Sequence, residues 1–217
     1  MTARNRRARV QKMNLDGLSF FDTSIKMPLM SLPVRTTLVR LRDARVLISP
    51  GSRLTDEVYA KIGPVTDLVA NNGFHTAGME KARAHYPQAR TWGLETRDSD
   101  WPYADELSMI RLAGMPKIQE AVFVHRASRT LIVADLCFNL LSAKGFGPRL
   151  ILGLFGTYQR FGVSRFWLSG VKDRPAFADS LRRLLSEDFD NIVMGHGDII
   201  YGGGRERLRA AFAERGF

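Results

Sequence analysis

The chain of 217 residues carries 32 Lys and Arg against 22 Asp and Glu, a net charge of +10, beside an ordinary hydrophobic share of 45%. That length suits one mid-sized domain with a substantial core and is too short for two independent ones. A single cysteine, Cys137, excludes an internal disulfide framework and a cysteine-rich zinc site, and no apolar run approaches the roughly 20 residues that cross a bilayer.

The opening MTARNRRARVQK is basic and lacks apolar periodicity, which predicts a disordered, solubilising tail. Clustered arginine attracts phosphate, so nucleic acid is the macromolecular partner to test for this tail, although no nucleic-acid signature accompanies it. The start also lacks the apolar centre of a signal peptide, and the expectation is a soluble, cytoplasmic protein without membrane contact. Residues 1–30 are read as a basic, partly irregular lead-in and 31–217 as the domain, because LSFFDTSIKMPLMSLPV holds two prolines and little regular pattern.

Beyond the lead-in, VRTTLVRL alternates and is rich in β-branched residues, which predicts a strand. ARVLISP reads as its partner across a turn at Arg42, Asp43 and Ala44. Thr55 stands where a helix cap belongs, before DEVYAKIG, which Gly63 closes. TDLVANN is a short buried strand that stops at the turn residues of NNGFH. GMEKARAHY predicts a helix, ARTWG a short strand, and 94–103 a polar loop. IQEAVFVH and RTLIVADL form the strongest strand pair; FADSLRRLLSEDF is an amphipathic helix, NIVMG a last buried strand and GRERLRAAFAERG a last helix. Hairpins first and helix–strand alternation later predict an α/β domain with a mixed sheet covered by helices.

Three ionisable residues fall just past strand ends: His75, Asp135 and His196. The carboxyl ends of strands border the usual binding crevice of an open α/β layer, so these groups are candidates to converge. Each also has a plain structural role open to it: a loop histidine bonded to backbone, or an aspartate that caps a helix or accepts in a turn. Asp198 is a candidate to bond to His196 and orient it, with an Asx turn as the alternative. His125 reads as structural or exposed, His85 as a helix-end residue at a position that favours cations, Cys137 as a small buried apolar residue, and the glycines at 202–204 as a flexible turn.

The order of the segments from 34 to 93, then VFVHRASRTLIVADL, then DFDNIVMGHGDII, resembles the metallo-β-lactamase-fold superfamily, and within it a branch of unknown function. The resemblance implies a four-layer αββα sandwich with a metal centre at one edge. RTLIVADL resembles the strand whose terminal aspartate bridges two metals, here Asp135, and IVMGHGD the loop that supplies the final histidine ligand, here His196. The family's His-x-His-x-Asp-His loop is replaced by NNGFHT, in which His75 alone keeps strong metal-binding chemistry. LAGMPK stands where the next family histidine belongs. Asparagine amides are poor zinc ligands, so the site held by three histidines is expected to be lost. What the resemblance implies is at most one zinc, iron or manganese ion held by His75, Asp135 and His196. Asp135 and His196 would then be catalytic in hydrolysing an ester, thioester or phosphate of a small molecule. The alternative is a metal-free relative that binds a small molecule or partner without turnover.

Overall fold

The computed structural model describes residues 15–217, so the basic tail over residues 1–12 lies outside the described residues. Strands β1 (Leu18–Met27), β2 (Met30–Arg40), β3 (Arg45–Ile48), β4 (Asp67–Val69) and β5 (Arg90–Trp92) make one five-stranded sheet in that order. β2 pairs antiparallel with β1 and β3, whereas β3, β4 and β5 run parallel. A second sheet has the order β11 (Asn191–Met194), β8 (Thr130–Val133), β7 (Ala121–His125), β6 (Leu107–Arg111). β11 and β8 are parallel and the other two pairings antiparallel.

β3 and β4 of the first sheet and all four strands of the second are largely buried on both faces, which is why they read as apolar runs, whereas β1 and β5 keep exposed residues. Phe123, Ile132 and Val193 point inward to meet Val39, Val46, Ile48 and Val69 of the other sheet. Their neighbours Val122, Val124, Leu131 and Met194 point outward against helices α5 (Arg174–Ser186) and α6 (Gly204–Ala213). On the far side, Leu38, Leu47 and Leu68 pack against α1 (Asp56–Ile62) and α2 (Met79–His85). The result is four layers, αββα, as the resemblance implied.

The stretch expected to be irregular is instead a strand and the start of the next, in register from Leu18↔Val39 to Met27↔Met30. Its prolines sit where a strand tolerates them. Pro28 lies in the turn, and Pro33 lies in the half of β2 that extends beyond its pairing with β3, which begins only at Thr37. Helix α3 (Phe146–Phe155) also escapes the sequence pattern, because FGPRLILGLF contains two glycines and a proline and is apolar nearly all round. It buries Gly147 and Leu152 and leaves Phe146, Leu150 and Leu154 exposed on its outer side. A two-stranded ribbon, β9 (Phe138–Asn139) with β10 (Phe161–Gly162), and the short α4 (Arg165–Leu168) complete the molecule near the carboxyl ends of β8 and β11. No helix among the described residues is long and apolar enough to cross a membrane.

Candidate metal centre

Because β8 and β11 are parallel neighbours, with Met194 opposite Val133, the residues just past their ends emerge side by side. Asp135 and His196 each lie two residues beyond. Gly195 N donates to Ala134 O at 3.1 Å, continuing the pairing up to the two side chains. Gly197 then turns the chain with φ +105, and a Cβ there would meet Asn139 O at 2.3 Å, so both the angle and the space require glycine. The third residue arrives from the other sheet. After β4 the chain runs through Asn71, Asn72 and Gly73, and the Asn72 side-chain oxygen accepts from Phe74 N at 2.9 Å and His75 N at 3.0 Å. That Asx-type turn aims His75 across the gap between the sheets.

The three residues meet. His196 Nε2 is 2.9 Å from Asp135 Oδ1, His75 Nε2 is 3.6 Å from Asp135 Oδ2, and the two Nε2 atoms are 3.3 Å apart. His196 and Asp135 are buried. His196 Nδ1 donates to Pro33 O at 2.6 Å, and its ring stacks on Phe138. Because a carbonyl can only accept, Nδ1 carries a proton and Nε2 is the atom turned to the centre. Asp198 is exposed; its backbone, not its side chain, pairs with Asn139. The Nδ1 position that an orienting Asp198 would occupy belongs to Pro33.

A carboxylate outside the expected set supports this cluster. Glu120, fully buried, accepts at Oε1 from the backbone N–H groups of Ala134, Asp135 and Leu136 at 3.0 to 3.1 Å. Its Oε2 accepts from Trp167 Nε1 at 3.0 Å and from Asn72 Nδ2 at 3.3 Å. Asn72 Nδ2 also donates to Asp135 Oδ2 at 2.7 Å. Asn72 is thus a spacer that links two buried carboxylates. Glu120 had one sequence signal: a carboxylate opening the apolar AVFVH strand is costly to bury unless paired. Arg35 ties the loop from outside, with Nη1 donating to Gly197 O at 2.8 Å and Nε and Nη2 donating to Asp22 at 2.8 and 2.7 Å.

Burial pushes the Glu120 carboxyl up and the neighbouring Asp135 charge adds to the rise, while hydrogen bonds from Leu136 N, Asn72 and Ala134 N pull it back toward the anion. Its partners are all donors, which is the arrangement an anion requires. Burial also acts to raise Asp135, but the His75 charge and the His196 hydrogen bond outweigh it and hold the carboxyl well below the usual carboxylate range. Burial acts to lower His196, and the bond to Asp135 reverses this, leaving it raised. His125 is a structural histidine with Nδ1 at 2.7 Å from Ser128 Oγ, and burial lowers it. His85 stacks on Tyr59 at the end of α2, and Cys137 is fully buried, both as expected.

Two imidazole nitrogens and a carboxylate oxygen fit a divalent transition metal. An ion bound tetrahedrally at zinc distances places its donor atoms about 3.4 Å apart; the two Nε2 atoms here are 3.3 Å apart, and each faces a different oxygen of Asp135, His196 at 2.9 Å from Oδ1 and His75 at 3.6 Å from Oδ2. Among the described residues these are the one group of His, Cys, Asp or Glu able to hold an ion. They line a cavity of about 380 Å³ together with residues of the β1–β2 hairpin, α3 and α4.

Solved structures share this architecture. A metallo-β-lactamase from Pontibacter korlensis superposes with a TM-score of 0.60 at 14% identity, covering 91% of this chain and 95% of that one. The chain has the metallo-β-lactamase fold. A second metallo-β-lactamase, from Erythrobacter litoralis, matches with a TM-score of 0.59 at 16% identity over 91% of this chain and 89% of its own. The flavodiiron core of a Synechocystis protein matches at 0.60 and 12% identity, with 91% of this chain covering 58% of that one. No protein-family model and no curated protein sequence matches. In this metallo-β-lactamase fold the strand ends that carry Asp135 and His196 lie at one edge of the sandwich, with the His75 loop facing them.

Proposed function

We propose that the protein is a hydrolase of an ester, thioester or phosphate that works with one metal ion held by His75, Asp135 and His196. The observation that carries this reading is the convergence of two imidazole nitrogens and a carboxylate within 2.9 to 3.6 Å of one another, in the wall of an apolar cavity. An ion in this position supplies Lewis acidity and activates water near neutral pH. The chain does the rest. Pro33 O fixes His196 so that Nε2 faces the centre, and Asn72 holds Asp135 Oδ2 from behind. Glu120 pins the backbone on both sides of Asp135, so the carboxylate keeps its place without being reached by solvent. Walls from the hairpin and α3 exclude bulk water and leave the substrate's scissile group beside the donor atoms.

One observation favours a second reading, metal-free binding without turnover. His196 as an imidazolium satisfies both its nitrogens, Nδ1–H to Pro33 O and Nε2–H to Asp135, so the cluster is also complete as a hydrogen-bonded triad. Metal content separates the two. Full-length protein purified without added ions is expected to hold about one equivalent of transition metal and to hydrolyse 4-nitrophenyl esters or phosphates in a way that Asp135→Ala abolishes. Metal near zero, with no thermal shift on adding zinc, manganese or iron, overturns the hydrolase reading and leaves the second.

A further inference from the structure

We propose that the cavity beside the metal centre takes a hydrocarbon tail, so that the substrate is an amphiphile whose scissile head lies at His75, Asp135 and His196. The head-group half of this statement rests on the hydrolase reading; the tail half rests on the walls alone. The long sides of the cavity are Ile25, Leu32 and Val34 from the hairpin and Ile151, Leu152 and Phe155 from α3. The only ionisable side chains among its lining residues are the three of the metal centre.

Besides the three ionisable side chains, the polar side chains in the wall are four hydroxyls, Ser49, Ser52, Thr157 and Ser164, two of them engaged within the protein. Ser49 Oγ bonds to Asn71, and Ser164 Oγ accepts from Trp167 N. A sugar, a nucleotide or a peptide backbone brought in here would lose its water and find almost no partners, at a cost for each unsatisfied group. No lysine or arginine lines the space to receive a second anionic group. A hydrocarbon chain needs none of these partners. The volume of about 380 Å³ lies at the small end of the range of about 300–1,000 Å³ usual for ligand sites, enough for a tail of moderate length. The rim is apolar as well. Met27, Phe74 and Phe166 line the cavity yet stay 39%, 57% and 57% exposed, an unusual cluster for a water-facing entrance.

The experiment is a calorimetric titration of zinc-supplemented full-length protein with sodium butanoate, hexanoate and octanoate, repeated with a chelator. Complete burial of each added methylene would tighten binding about fourfold. From butanoate to octanoate a gain of at least about tenfold is therefore expected, with or without the chelator. Ile25→Asp, on a half-buried strand position, is expected to flatten the series, with Leu32→Asp as the second variant should the first not fold. Leu150→Asp, on the outer side of α3, is expected to keep it. A flat series in the wild-type protein overturns the tail, even where 4-nitrophenyl acetate is hydrolysed. A steep series with no hydrolysis of 4-nitrophenyl octanoate upholds the tail and removes the hydrolase reading instead.

Discussion

Replacing Glu120 by glutamine tests whether a buried anion organises the metal centre. The change keeps the shape and removes the charge. In the native protein Oε1 accepts three backbone N–H groups and Oε2 accepts Trp167 Nε1 and Asn72 Nδ2. Glutamine must turn its NH2 toward one of these two sets. Facing Trp167 and Asn72 is the cheaper choice, and it replaces two hydrogen bonds to a charged acceptor by two donor–donor contacts. Bonds of that kind are worth about 1.5–3 kcal/mol each, for a gross loss of about 3–6 kcal/mol. Removing a buried charge returns part of this, leaving a net destabilisation of about 2–4 kcal/mol. Urea unfolding in the presence of a chelator measures it, and a midpoint lower by about 1 M is expected. Zinc affinity should fall as well, by about 10–100-fold, as it does when groups that hold a ligand in place are lost. A Gln variant within about 0.5 kcal/mol of wild type would refute the reasoning, since the five donors would then not depend on an anion.

Because Nδ1 stays committed to Pro33 O, zinc and a proton compete for the single free position at His196 Nε2. Proton release on zinc addition in weak buffer is expected, with zinc affinity falling as pH drops and the raised His196 becomes protonated. Uptake without proton release contradicts the assignment. Asp67 is fully buried and accepts from Trp92 Nε1, Tyr103 OH and Thr66 Oγ1 at 2.8, 2.7 and 2.6 Å. Burial acts to raise its carboxyl, but these donors and Arg90 outweigh it and lower the carboxyl. The unfolded chain therefore takes up the proton first as pH falls. The stability that Asp67 contributes is complete above its unfolded value of about 3.9 and lost as pH falls through the folded value. The gap in thermal midpoint between wild type and Asp67→Asn should be widest above about pH 5 and narrow as pH falls below the unfolded value of about 3.9. Arg35→Met, which removes the clamp on Gly197 O and the pair with Asp22, should cost about 1–3 kcal/mol in urea unfolding and lower the bound zinc.

Much of the architecture could be read in the sequence because most of its strands are covered on both faces. Runs such as LIVAD and NIVMG are continuous, short and bounded by turn residues, and they became β8 and β11. The meeting of His75, Asp135 and His196 was legible for a related reason, since a polar residue just past a buried strand has few places to go. The strand β1 was not legible. Its side chains alternate between half-buried and exposed rather than apolar and polar, and the nearby prolines mimic a loop. Helix α3 was hidden by its glycines and proline, which neighbouring packing overrides. Glu120 and Pro33 act through contacts with residues far along the chain, and no local pattern encodes such contacts. Asp198, by contrast, was suggested by nearness in sequence to His196, and the following turn carries it outward.

Pro33 O and His196 Nδ1 are separated by 163 residues. At ribosomal rates of about 5–20 residues per second, the hairpin is made roughly 10–30 s before its histidine partner. Through that interval the nascent chain has neither the third donor nor the contact that orients it. The three side chains are therefore brought together only once β11, made last of the strands, has paired with β8.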